Sequence, residues 1–284
     1  MSLDAVTLEL IRLALREDLA GLGDVTSAWT VPAAARAEGF VAARDEAVVS
    51  GLDVAAGVLT EVDGDLRFER LVMDGSAVAP GDRLARVEGP ARALLSAERT
   101  MLNLLAHLCG VATQARRFAR AVEGTGAVMV DTRKTTAGLR LWEKKAVRDG
   151  GCGNHRFGLF DLVLIKDNHL VAGGGVAATV TRARAAAPFA MKVEVEVADE
   201  AGLREAVAAG ADIVMFDNVR GPELARLVRV ARELRPGIIL EASGRVDLES
   251  VRGVAESGVD VISSSALTAG APPVDLGLDF EVRL

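Results

Sequence analysis

From about residue 120 the sequence alternates short apolar runs with helical stretches, and this alternation constrains the fold more than any other feature. The runs are AVMV (127–130), LVLI (162–165), KVEVEV (192–197), DIVMF (212–216), IIL (238–240) and DVIS (260–263). Repeated strand–helix units make consecutive strands parallel, because each connection crosses back over the sheet. Every run ends in a polar tip: DTRKT, KDNH, the glutamates within KVEVEV, DN, EASG and SSSAL. In a parallel barrel the C-terminal strand ends share one rim, where catalytic groups gather, whereas a doubly wound open sheet uses only a crevice at its switch point. Polar groups at every tip favour an α/β barrel of six or seven strands.

The earlier part of the chain reads differently. Leu8, Ile11, Leu15 and Leu19 recur at spacings of three and four, which lines one face of a helix. Between residues 38 and 88, short runs split by Gly-rich turns and by Pro80, Gly81 and Asp82 read as a mostly antiparallel sheet. Ser96 is expected to cap a long helix carrying Met101, Leu105, Leu108 and Ala112 on one face, with Gly110 marking a bend or a close approach. That helix is expected to join two domains.

Composition removes several functional classes. The 284 residues are 50% hydrophobic, enough for at least one large core. With 33 Lys+Arg against 40 Asp+Glu the formal net charge is -7, which argues against a general nucleic-acid or membrane-surface binder. Aromatic residues make up 4% and Tyr is absent, so stacking platforms for single-stranded nucleic acid are scarce. No apolar run approaches the roughly 18 residues that span a bilayer, and the N-terminus is amphipathic rather than signal-like. The expectation is a soluble, cytoplasmic protein. Cys109 and Cys152 are too few for a disulfide framework or a four-cysteine zinc site.

The tips carry chemistry of two kinds. DTRKT places Arg133 and Lys134 just beyond a strand, GGCGNHRFG offers His155 and Arg156 after glycines, and IKDNH adds Lys166. A guanidinium fork beside a point-charge ammonium suits carboxylate or phosphate. Singly, each has a plainer reading as a solvated loop or a buried ion pair. Together with Arg99 they predict a basic pocket for a polyanion in a net-acidic chain. Glu194 and Glu196, two apart in a strand, share one face, and Asp217 stands at the next tip. These carboxylates suit Mg²⁺, the plainer alternative being a lattice of Glu and Arg. His155 and His169 have no third nitrogen or sulfur ligand spaced to complete a zinc site, and Cys152 lacks the partners of a nucleophile. EASG (241–244) and SSSAL (263–267) supply hydroxyls and amides of the kind that bind phosphate, and equally of the kind that cap helices.

The ordered run REDLAGLGDVTS (16–27), SAERTMLNLLAHLCGVAT (96–113), DTRKTTAGLR (131–140), EKKAVRDGGCGNHRFGL (143–159), LIKDNH (164–169), VEVEV (193–197), GADIVMFDN (210–218), LEASG (240–244) and GVDVIS (258–263) resembles quinolinate phosphoribosyltransferase over nearly the whole chain. The resemblance implies an N-terminal α/β sandwich domain over 1–113, to which a tail over 271–284 returns, and an incomplete α/β barrel over 114–270. It also implies a homodimer. Quinolinate would be held by Arg133, His155, Arg156 and Lys166, with Arg99 contributed by the other subunit. Lys134 would contact 5-phosphoribosyl 1-diphosphate, and Glu196 and Asp217 would serve the ribose and Mg²⁺. Ser243, Gly244, Arg245, Ser264 and Ser265 would face phosphate. The implied reaction displaces diphosphate from ribose C1 by the pyridine nitrogen and then loses the 2-carboxylate as CO₂.

The sequence departs from the family pattern mainly on the donor side. Arg245 stands where the pattern SGG has its second Gly, Ser265 where a Gly is usual and Ala269 where a His is usual; Ala137 replaces a Pro and Cys152 a Gly. Four further readings stay open: a paralogue that keeps the pyridine pocket but takes another phosphosugar donor, a relative of the molybdenum-associated ModD branch, a Schiff-base lyase using Lys166, and a silent binding protein.

Overall fold

Asp4 accepts the backbone N–H groups of Val6 and Thr7 and so starts the helix Ala5–Leu19, whose Ile11 and Leu15 are buried. The computed structural model describes residues 3–283. It contains strands β1 (Arg36–Ala43), β2 (Ala47–Val48), β3 (Arg67–Arg70), β4 (Ala77–Val78), β5 (Arg83–Pro90), β6 (Val128–Val130), β7 (Val163–Ile165), β8 (Val193–Val197), β9 (Ile213–Asp217), β10 (Ile239–Ser243), β11 (Val261–Ser263) and β12 (Leu276–Arg283). The chain forms two compact units. One comprises Met1–Arg116, Thr136–Gly151 and Ala271–Leu284; the other comprises Arg117–Thr135 and Cys152–Gly270. No described helix is long and apolar enough to cross a membrane.

The first unit is an α/β sandwich around an antiparallel sheet ordered β12-β1-β5-β3, with β2 and β4 paired separately. The tail therefore returns as an edge strand beside β1. The long helix runs unbroken over Ala91–Ala121. It begins before Ser96, whose hydroxyl donates instead to Arg92 O at 2.9 Å inside the helix, so Ser96 is not its cap. Gly110 marks a close approach rather than a break, since a Cβ there would collide with Pro272 O.

The sequence reading placed 136–151 in the barrel, whereas this segment belongs with the first unit. The helix Arg140–Asp149 buries Trp142, Glu143, Ala146 and Val147 there. Trp142 Nε1 donates to Thr7 Oγ1 at 2.6 Å, Glu143 meets His107 Nε2 at 2.7 Å, and Lys145 Nζ lies 2.6 Å from both Asp74 and Asp149. Glu143 is fully buried. Burial raises its pKa, and the hydrogen bonds from His107 and Thr136 outweigh that and hold it below its ordinary value.

The second unit is an incomplete parallel α/β barrel. Its six strands are ordered β6-β11-β10-β9-β8-β7, and Gly153 adds a single parallel bridge to Val130 at the β6 edge. Alternation along each strand decides what faces inward: Val193, Val195 and Val197 are buried on one side of β8, and Glu194 and Glu196 take the other. The parallel register sets Glu196 beside Met215, Met215 beside Glu241, and Asp217 beside Ser243. Carboxylates from three strands thus share the interior face.

Candidate active site

Five of the predicted cationic residues, Arg133, Lys134, His155, Arg156 and Lys166, line one cavity of about 310 Å³, together with Ser243 and Ser263. The loop before His155 is set by Asp131, which is fully buried. It accepts from His155 N at 2.9 Å and from Asn154 Nδ2 at 2.7 Å. The loop carrying Lys134 is fixed by Thr268 Oγ1, which donates to Lys134 O at 2.8 Å.

Arg156 is held by Leu162 O at 3.2 Å from Nη1. Burial, and then the nearby charge of Arg133, lower its pKa. Two guanidiniums in a half-buried cavity repel one another, and an anion between them relieves both that repulsion and the desolvation. Lys166 Nζ contacts Glu196 Oε2 at 2.8 Å, so one edge of the cavity already pairs cation with carboxylate.

His155 and Glu194, both singled out from sequence, meet Glu241, whose part in the site the sequence reading missed. His155 Nε2 is 3.3 Å from Glu194 and 3.3 Å from Glu241. Glu194 is fully buried, and neither of its oxygens has a well-aligned hydrogen bond. Burial opposes charge on the ring, and the two carboxylates overcome this and raise the pKa of His155. Burial, reinforced by Glu241, pushes Glu194 up to about 7. Arg156 N donates to His155 Nδ1 at 2.7 Å and needs a lone pair there. That contact assigns the neutral ring as its Nε2–H tautomer, with the proton directed at the two carboxylates.

One imidazole and two carboxylates within 4.8 Å are residue types that bind metals. An imidazole that ligates through Nε2 carries its proton on Nδ1, which would face the Arg156 N–H. This ring orientation therefore does not fit a metal. His169 stands apart: its Nδ1 accepts from Lys166 N at 2.9 Å and caps the short helix Asp167–Gly173.

Glu196 and Asp217 fit a magnesium ion better. They lie on adjacent strands, and each has one oxygen engaged, by Lys166 Nζ at 2.8 Å and Asn218 Nδ2 at 2.7 Å respectively. The second oxygen of each remains for a hard cation that keeps waters and shares phosphate ligands.

The tips of β10 and β11 are built less uniformly. Arg220, also missed from sequence, donates to Ser243 O at 3.2 Å and to Gly244 O. Gly244 has φ +87°, and a Cβ there would collide with Asn218. Arg245 is exposed and held at φ +34°, in the left-handed region that disfavours side chains. Ser264 is buried, donates to Val246 O at 2.7 Å and accepts from Ala266 N at 3.1 Å, so its hydroxyl is engaged within the fold. Ser265 is half-buried at the start of a single 3₁₀ turn. Arg99 stands on the part of the Ala91–Ala121 helix that belongs to the first unit, with 66% of its side chain exposed.

Residues 24–109 match the N-terminal domain model of quinolinate phosphoribosyl transferase, and residues 111–279 match the C-terminal domain model. The chain belongs to the quinolinate phosphoribosyl transferase family. It is 43% identical over 274 residues to the nicotinate-nucleotide pyrophosphorylase [carboxylating] of Mycobacterium leprae, covering 95% of each chain. A probable enzyme of the same name from Bacillus subtilis is 40% identical over 263 residues, covering 93% of this chain and 89% of the relative. The solved nicotinate-nucleotide pyrophosphorylase of Francisella tularensis superposes with a TM-score of 0.92 at 37% identity, covering 99% of this chain and 98% of that one. Both units therefore match the family along their length.

Proposed function

We propose that this chain transfers the phosphoribosyl group of 5-phosphoribosyl 1-diphosphate to quinolinate, with loss of CO₂, and so makes nicotinate mononucleotide for de novo NAD biosynthesis. One observation carries the reading beyond family membership: Arg133, Lys134, His155, Arg156 and Lys166 share one small cavity in a chain of net charge -7. A dianionic ring answers that charge.

Arg133, Arg156 and Lys166 hold the two carboxylates and turn the ring nitrogen toward ribose C1, a contribution of positioning. The nitrogen lone pair forms the N–C1 bond as the C1–O bond breaks, and diphosphate leaves with its electron pair. Glu196 and Asp217 stabilise positive charge developing on the ribose. The C2–carboxylate bond then breaks; CO₂ departs, and C2 keeps the electrons and takes a proton. Glu196 and Asp217 would also hold Mg²⁺, which supplies charge stabilisation of the departing diphosphate. Lys134 and the Ser243 to Arg245 tip take donor phosphates, with Ser265 beside them. The family likeness supports a homodimer in which Arg99 reaches the partner's cavity.

Incubation with quinolinate, the donor and Mg²⁺ tests the reading; nicotinate mononucleotide, CO₂ and diphosphate in equal amounts are expected, and absence of all three rejects it. A second reading, a paralogue with another phosphosugar donor, is favoured by Arg245 at φ +34° on the donor-side tip. Product with an alternative donor, and none with the diphosphate donor, would establish it.

A further inference from the structure

Glu241 joins the two halves of the cavity. It is 3% exposed on β10 and lies one layer below Ser243. Its Oε2 is 3.3 Å from His155 Nε2, and its Oε1 accepts from Ser263 Oγ at 2.5 Å. Ser263 Oγ also lies 3.0 Å from Ser243 Oγ. A hydroxyl has one proton, and the carboxylate at 2.5 Å takes that of Ser263, so the Ser243 hydroxyl supplies the proton of the second contact. The result is a continuous chain: Ser243 to Ser263, Ser263 to Glu241, and from the other side Arg156 N to His155 Nδ1 and His155 Nε2 to Glu241.

We propose that Glu241 is a positioning residue for the transfer reaction, clamping the His155 and Arg156 loop on one oxygen and the β10 and β11 tips on the other. The proposal rests on the phosphoribosyl-transfer reading for what the two halves bind. Glu241 touches neither substrate. Its two-sided geometry separates it from a side chain that fills space, because each oxygen serves a different half of the cavity. Neighbouring Glu194 faces His155 and Glu241 but accepts no serine hydroxyl, so it lacks the second arm. In a buried network each partner is costly to leave unsatisfied, so removing the central acceptor loosens both arms.

The test uses the full chain as wild type, Glu241→Gln, Ser263→Ala and the double variant, each checked for folding by thermal unfolding. Glu241→Gln is expected to raise the KM of quinolinate and of the donor about tenfold each, as loss of a charge-assisted hydrogen bond predicts, with kcat changed less than about threefold. Ser263→Ala, the milder change should Glu241→Gln fold poorly, is expected to raise the donor KM alone. In the double variant the donor KM should match that of Glu241→Gln, because both substitutions remove one contact. Multiplying effects, or both KM values within twofold of wild type in Glu241→Gln, would overturn the proposal.

A second readout needs no turnover. The chain has 3 histidines, so imidazole ¹⁵N signals are assignable with His155→Gln. Wild type should show His155 as the Nε2–H tautomer, and Glu241→Gln should shift that signal and speed exchange of its proton. A His155 spectrum identical in both proteins overturns the clamp. If wild type makes no nicotinate mononucleotide the transferase reading fails, and the imidazole comparison still decides the clamp.

Discussion

Lys166 Nζ lies 2.8 Å from Glu196 Oε2, across the junction of β7 and β8. The ammonium is about half exposed and the carboxylate mostly buried, so a single contact links the side of the cavity proposed to hold the pyridine to the side proposed to hold the ribose. Removing either partner should therefore have different kinetic consequences. Lys166→Ala is expected to raise the quinolinate KM about tenfold or more. Glu196→Gln is expected to lower kcat about 100-fold with a smaller change in that KM. A half-exposed pair contributes about 1 kcal/mol or less, so both variants should melt within about 3 °C of wild type. Steady-state kinetics paired with calorimetry checks the contrast; equal effects on kcat and KM in both variants would contradict it.

Arg156 offers a planar fork that Lys cannot reproduce. Arg156→Lys keeps the charge but loses both the Leu162 O contact and bidentate recognition, and is expected to weaken quinolinate binding about tenfold. Titration calorimetry without donor measures this directly, and wild-type affinity in the variant would show that charge alone suffices.

Glu194 ties stability to pH. Its pKa is raised in the folded chain to about 7 from an ordinary 4.5, so the folded state holds the proton more tightly than the unfolded one. Its stabilisation is complete below about pH 4.5 and is lost as pH rises to about 7. Glu194→Gln cannot titrate, so the variant's Tm minus that of wild type should climb between those values. A flat difference across the interval would show that Glu194 is ionised throughout.

Arg245 permits a test in which the fold scarcely interferes. Relieving a non-Gly residue at φ +34° gains about 1 kcal/mol, and the added unfolded-state freedom of Gly costs about 0.5–1 kcal/mol. Arg245→Gly should thus leave Tm nearly unchanged, and any shift in donor KM reads the guanidinium itself. We expect that KM to rise about threefold to tenfold, as loss of a phosphate contact; a fall would mean that the side chain obstructs the donor.

What the sequence made legible follows from periodicity. Five of the six parallel strands fall within a residue of the apolar runs at each end, and β10 runs three residues past IIL into its polar tip, because a buried parallel strand has to be apolar on the side facing its helices. The cationic tips were legible because Arg, Lys and His cluster immediately after those runs. Glu241 was read only as part of a tip, since its importance lies in partners 22 residues ahead and 86 residues behind, a matter of register between strands. Ser96 looked like a cap because Ser before an apolar stripe usually is one, and the preceding ARALL also accepts helix. The home of Arg140–Asp149 was not legible either: an amphipathic helix announces a buried face but not which core receives it.

The chain leaves the barrel unit after Thr135 and re-enters it at Cys152, having spent the interval in the other folding unit. Arg133 and Lys134 precede this detour, and His155 and Arg156 follow it. The two cationic loops are therefore the two ends of one excursion, and no single cut in the chain divides it into its two units. Transplanting residues 117–270 alone would carry a stranded helix with Trp142 stripped of its Thr7 partner. Recombination is accordingly constrained to inherit sandwich and barrel together.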